Sequence, residues 1–250
     1  DCALVVITAG ANQKPGETRL DLISKNIKIM EGIIREITAR EFGGILLIVS
    51  NPVDVLTYAA WKISGYPKER VIGSGTVLDT GRLKQLMGEE LGVDSRNVHA
   101  LIAGEHGDSE LAVWSEASVS GLSLEDFARV RGRRLDAEDF QRLYRQVRDS
   151  AYEIIKRKGA TYYGIAMAVG RIAECIVKNE HAVLPVSVVL DGQYGLKNLA
   201  LSIPSIVGRS GLEEILEISL SREEGEALYA SARQLEDVIQ SLEIKEPVGA

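Results

Sequence analysis

The strongest constraint on this chain lies in its first 75 residues, where short apolar runs alternate with segments of helical period. CALVVIT (2–8), GILLIVS (44–50) and RVIGSG (70–75) read as strands. Between the first two, Ile23, Ile27, Met30, Ile34 and Ile37 recur at helical spacing. VDVLTYAAWKISG (53–65) reads as a second helix stopped by Gly65. Strand–helix–strand–helix–strand predicts a parallel sheet with right-handed crossovers. The unbroken apolar runs are those of strands covered on both faces. The chain opens at Asp1 inside the first strand, so further sequence is expected upstream.

Past residue 75 the pattern changes. A helix is predicted over 77–91, and apolar stretches on either side of GEHGDSE (104–110) form an expected antiparallel pair. Asp136, with Asp139 three places on, starts a helix that should bury Phe140, Leu143, Val147, Ala151 and Ile154 before Gly159 ends it. TYYGIAMAVGRIAECIV (161–177) is a further helix, and strands follow at 183–190 and 199–207. Ser221 and Glu224 make a capping box for a last helix that carries Leu228, Ala232, Leu235, Ile239 and Leu242 on one face. The tail, 243–250, should be frayed.

Composition excludes several classes. The net charge of −7 argues against a nucleic-acid or anionic-lipid partner. The longest apolar runs, such as VLPVSVVL (183–190), are strand-length and too short to cross a bilayer. Cys2 and Cys175 have no disulfide or metal spacing, so a reducing, cytoplasmic location and no metal are expected.

The chemistry centres on few residues. Of the three histidines, His99 lies in a strand-like run and His181 at a helix–strand junction, and both read as structural or surface groups. His106 sits in a short loop between Gly104 and Gly107. An imidazole there could carry a proton at neutral pH, and a carboxylate on one ring nitrogen would fix its tautomer. Asp79 is the favoured partner over Asp108, because it starts a helix just beyond a parallel strand, where α/β proteins bind ligands. Arg82 shares its helix face and could grip a substrate carboxylate, although an exposed Asp–Arg pair is the simpler reading of that spacing. The polar loop AGANQKPGETR (9–19) supplies Arg19 and suits a lid; a plain surface connection is the alternative. Asn51 follows another strand end, and Asn51–Pro52 is a candidate cis peptide. A His–Asp hydrolase would need a nucleophile or metal, and neither GxSxG nor HExxH occurs.

ITAGANQKPGETRLDL, SNPVDVLTY, VIGSGTVLDTGR, GEHGDSE and KGATYYGIA, in that order, resemble the lactate/malate dehydrogenase family over about residues 1–242. The resemblance implies an α/β fold: the C-terminal part of a Rossmann-type parallel-sheet NAD-binding domain (1–75), then a mixed α/β catalytic domain with antiparallel strands (76–242) and a tail (243–250). The family's opening strand–GxGxxG–helix unit and its ribose-binding acid have no counterpart here.

The resemblance also implies roles. His106 is the acid–base residue, Asp79 orients it, Arg82 clamps the substrate carboxylate, and Arg19 polarises the reacting carbonyl. Asn51 binds near the reacting oxygen and nicotinamide, and Thr161 lines the pocket. Gly10, Ala11, Val49 and Ser74 fall where the family contacts NAD. Gln13 stands where malate dehydrogenases carry an arginine, so pyruvate is expected over oxaloacetate, in the manner of an L-lactate dehydrogenase. A malate or other 2-hydroxyacid dehydrogenase is the alternative, as is a non-catalytic remnant if the chain truly starts at Asp1. A homotetramer is implied. Lys84 and His99 fall at an allosteric fructose 1,6-bisphosphate site, with Lys84 replacing an arginine and losing its bidentate geometry. Gly81 stands where a small non-glycine residue is usual, which loosens its helix by up to ~1 kcal/mol.

Overall fold

A computed structural model describes residues 2–11, 16, 18–159, 161–242 and 244, without the side chain of Arg19. The expected alternation is present. β1 (Leu4–Ile7), β2 (Ile45–Ile48) and β3 (Val71–Gly73) run parallel, joined by α1 (Arg19–Thr38) and α2 (Val53–Ser64). On α1, Ile23, Ile27, Met30 and Ile34 are buried. A capping box between Thr18 and Asp21 starts this helix. Gly65, in the left-handed region at φ 66°, ends α2.

α3 (Val77–Leu91) leads into short strands: β4 (Val98–His99), β5 (Ile102–Ala103), β6 (Leu111–Ala112), β7 (Ser118–Val119) and β8 (Leu122–Ser123). β5 and β6 pair antiparallel around the His106 loop, as expected. α4 (Leu124–Val130), α5 (Ala137–Lys158) and α6 (Tyr163–Lys178) follow, then β9 (Ala182–Asp191), β10 (Lys197–Gly208), β11 (Gly211–Ile215) and α7 (Arg222–Gln240). Capping boxes start α5 at Asp136 and α7 at Ser221.

One six-stranded sheet, ordered β1-β2-β3-β9-β10-β11, runs through both parts of the chain. The parallel strands meet the antiparallel ones where Gly73 pairs with Ser187. A Cβ on Gly73 would run into Thr57 Oγ1 and Ser187 Cβ, so a side chain there would force the seam apart. α2 packs on β9 and β10, and α6 and α7 pack on β10. A second apolar cluster, with Leu83, Met87, Leu91, Val98, Leu143 and Val147, lies under α3 and α5.

Two expectations are corrected. β1 is not covered on both faces: Ile7 is buried, but Val6, which points to the opposite face, is exposed. On α5 only Leu143 and Val147 are buried; Phe140, Ala151 and Ile154 are half-buried. Leu143 and Val147, with Phe140 packed against them, join the apolar cluster that α3 supplies, while Tyr152 and Ile155 further along stay exposed.

Candidate active site

The sequence around His106 dictates a tight, tethered loop. Gly104 has φ 91°, and its backbone exchanges hydrogen bonds with Ser202 at 3.0 and 3.1 Å. A Cβ at Gly104 would press on Leu111 at 2.9 Å and Ser231 at 3.0 Å, so glycine is needed twice over, for the left-handed backbone and for the close approach. Buried Glu105 donates its backbone N–H to Ser231 Oγ at 2.8 Å and accepts from Ser109 Oγ at 2.5 Å. Asp108 turns outward and accepts from Tyr152 Oη at 2.7 Å. The Tyr144 hydroxyl donates to the backbone oxygen of Glu110. Both chain ends of the loop are thereby pinned, to β10 and α7 on one side and α5 on the other.

Held this way, His106 meets Asp79 across 27 positions of sequence, Nδ1 to Oδ2 at 2.7 Å. Asp79 lies in the first turn of α3 with its side chain only 4% exposed. Its other oxygen accepts from Arg82 Nη1 at 3.0 Å. Burial alone would push the Asp79 carboxyl up, but the His106 hydrogen bond and the charges of His106 and Arg82 hold it below its ordinary value. Burial likewise works against a charged His106, yet its bond to Asp79 and the nearby negative charges raise it to about 9. At neutral pH the ring therefore carries two protons. Nδ1–H is committed to Asp79, and Nε2–H is free to be given to a reacting oxygen.

Two buried acids next to this pair are invisible to sequence spacing. Asp54 of α2 accepts the His106 backbone N–H at 2.7 Å and Ser187 Oγ at 2.6 Å, and burial pushes it up to about 6. Glu110 is 5% exposed, and burial together with the Asp79 charge pushes it up to about 8. The only advance signal for Asp54 was a carboxylate in the first turn of a helix that follows a strand. For Glu110 it was its place in GEHGDSE.

The other expected residues gather at the carboxyl ends of β1–β3. Gly10, Ala11, Val49 and Asn51 all reach solvent there, while Ser74 is buried and donates its backbone N–H to Ile48 at 2.8 Å. Asn26 of α1 ties the strand ends together: it accepts from Ala11 N–H at 2.7 Å and donates to the Asn51 carbonyl at 3.1 Å. Ser50 Oγ adds a bond to the Ala9 carbonyl at 2.6 Å. The Asn51–Pro52 bond is cis, as expected. Thr161 is half-buried just ahead of α6. Gln13 and the Arg19 side chain lie outside the described residues, although Arg19 opens α1. Lys84 and His99 line one cavity of about 460 Å³ with Thr80, Glu116 and Arg171.

Residues 1–73 match the family model for the lactate/malate dehydrogenase NAD-binding domain, and residues 76–245 match that for its alpha/beta C-terminal domain. The chain belongs to the lactate/malate dehydrogenase family. L-lactate dehydrogenase 1 of Lactobacillus acidophilus is 52% identical over 239 residues, which cover 96% of this chain and 73% of the relative. The L-lactate dehydrogenase of Streptococcus sanguinis is 53% identical over 242 residues, covering 96% of this chain and 74% of its own length. The crystal structure of the minor L-lactate dehydrogenase from Enterococcus mundtii, in its ligands-bound form, superposes with a TM-score of 0.94. Identity is 45%, with 98% of this chain and 78% of that one covered. As a family member the chain has a Rossmann-type parallel sheet and a catalytic part with antiparallel strands, in the order expected from its sequence.

Proposed function

We propose that this protein is an NAD-dependent L-lactate dehydrogenase that interconverts pyruvate and L-lactate. The observation that carries this reading is the buried His106–Asp79 pair, 2.7 Å apart, with Arg82 on the same carboxylate at the carboxyl edge of the sheet. The rim around it fits the cofactor. Gly10, Ala11, Val49 and Asn51 offer accessible groups on strand ends that Asn26 and Ser50 hold in place. These residues, with Ser74 beneath them, would hold NAD, which supplies or accepts the hydride.

The chain's own residues do the rest. In pyruvate reduction His106 gives its Nε2 proton to the carbonyl oxygen as that oxygen gains charge, and Asp79 keeps the ring oriented throughout. In lactate oxidation a neutral His106 takes the hydroxyl proton back. Arg82 turns from Asp79 to the substrate carboxylate, where its planar fork makes two parallel hydrogen bonds. Arg19, at the N-terminus of α1, polarises the carbonyl when the 9–19 loop closes, and Thr161 lines the pocket.

Gln13 sets the substrate class. A neutral amide leaves the second carboxylate of oxaloacetate unpaired in a closed site, whereas the methyl of pyruvate needs no partner. In the full-length enzyme, Gln13→Arg should therefore raise the kcat/KM ratio of oxaloacetate to pyruvate by at least ~10-fold, since a charge-assisted contact is worth roughly 1.5–3 kcal/mol. NADH oxidation with each oxoacid reads the ratio, and a folded variant with an unmoved ratio would put Gln13 outside the specificity pocket.

The same reading includes a homotetramer in the cytoplasm. α6 turns Tyr163, Met167 and Val177 to solvent, an apolar face suited to a second copy. Both cysteines are free thiols, and among the described residues no helix is long and apolar enough to cross a membrane. Fructose 1,6-bisphosphate is the proposed effector at Lys84 and His99, whose shared cavity also presents Arg171.

A further inference from the structure

Glu110 is the buried acid that the proposed mechanism leaves without a role. It sits at the end of the His106 loop, 5% exposed, and its Oε1 meets no hydrogen-bond partner among the described residues. One of its carboxyl oxygens lies within 4.8 Å of both an Asp79 oxygen and a His106 ring nitrogen. A buried polar atom without a partner costs stability, so holding the fold together does not account for a carboxyl at this place. What it does have is proximity to the two groups that move the proton.

We propose that Glu110 is a positioning residue for the His106–Asp79 pair, and that its buried carboxyl governs how tightly His106 keeps its proton. This rests on the reading of His106 as the acid–base residue. The charged groups that face Glu110 are Asp79 and Arg82 from α3, Arg148 from α5 and His106 from its own loop, while Asp54 from α2 also faces His106. Burial and Asp79 keep Glu110 protonated up to about pH 8, against the pull of His106, Arg82 and Arg148. While neutral, it adds no second negative charge beside the arginine that must receive an anionic substrate. Once ionised, it places a negative charge beside His106 and makes the imidazolium harder to deprotonate. The acid–base residue thus stays loaded with its proton into mildly alkaline conditions, without a standing charge that repels substrate at neutral pH.

The test follows the histidine directly. Ring-labelled histidine in the full-length protein reports each imidazole by NMR, and a His106→Gln variant assigns the signal that matters. Glu110→Gln keeps the shape of the neutral acid and can never ionise. Its His106 midpoint should fall by at least about half a pH unit, the smallest shift expected from removing a charge at this distance. Glu110→Asp retains an ionisable group set further back, and its midpoint should fall by less. The alkaline limb of kcat/KM for pyruvate reduction should move by the same amounts. An unmoved or raised midpoint in Glu110→Gln overturns the inference. If that variant does not fold, a midpoint in Glu110→Asp equal to that of the parent overturns it instead. A shifted midpoint in a protein that never reduces pyruvate would leave this inference standing and remove the proposed activity.

Discussion

His106 and His181 make the same contact in two different settings. Nδ1 of His106 lies 2.7 Å from Asp79, and Nδ1 of His181 lies 2.5 Å from Glu213. The first pair has side-chain exposures of 23% and 4%, the second 54% and 25%. Around His106 stand two further buried acids and an arginine; around His181 stands Asn179, which shares its other ring nitrogen at 2.9 Å. Distance therefore does not distinguish the proposed acid–base pair from an exposed ion pair. Low exposure strengthens each charge interaction at His106, while water and salt screen the pair at His181. An exposed ion pair of that sort contributes ~0–1 kcal/mol to stability. Location completes the contrast, since His106 faces the carboxyl edge of the sheet and His181 lies between α6 and β9 on the way into the antiparallel strands.

The widest gap between the two should appear in turnover. His106→Gln should lower kcat for pyruvate reduction by at least ~10²-fold, because the general acid is lost. His181→Gln should leave kcat within about 2-fold, as expected for an exposed pair. Steady-state rates on both variants check this, and comparable losses at the two positions would erase the contrast.

A pH series sharpens it. With His106 raised to about 9, kcat/KM for pyruvate reduction should hold through neutral pH and fall above about 9, while lactate oxidation rises toward the same value. Stability carries the same sign. A folded-state value above the ordinary 6.5 means that the folded protein holds this proton more tightly, so the contribution is complete below 6.5 and is lost as pH rises to about 9. Urea midpoints measured across that window should drop less in His106→Gln than in the parent.

Smaller effects probe the supports. Asp54→Asn keeps the size of the side chain but weakens its acceptor for the His106 N–H and Ser187 Oγ, and should cost ~1–3 kcal/mol in urea unfolding. Gly81→Ala acts on the helix that carries Asp79 and Arg82. A Cβ there meets nothing within 4 Å, so the change should stabilise the protein by up to ~1 kcal/mol. A loss of stability would show that α3 needs its glycine.

The parts of this molecule with a period were legible in its sequence. Ile23, Ile27, Met30 and Ile34 announce α1, and the strand-end position of Asp79 pointed to its partnership with His106 before any distance was known. Asp54 and Glu110 were not legible, because their importance comes from burial against α3, β9 and the His106 loop, which sequence separations of 28 to 133 positions conceal. The stretch 115–135 gave no prediction either: β7 and β8 have two residues each, too few to show an alternation. On α5 a clear apolar stripe promised more burial than Ala151 and Ile154 receive, since periodicity specifies a face and not what covers it.

The seam between Gly73 and Ser187 bears on how such a protein can be inherited. Gly73 closes the parallel strands, and Ser187 opens the antiparallel ones. Ser187 also donates to Asp54, the acid that carries the His106 backbone. A recombination event that exchanged one half for that of a distant cousin would therefore bring together two strands never selected to touch, and the mismatch would reach His106 within three contacts. The two halves of this sheet are thus coupled to each other, and to the His106 loop, through Gly73, Ser187 and Asp54.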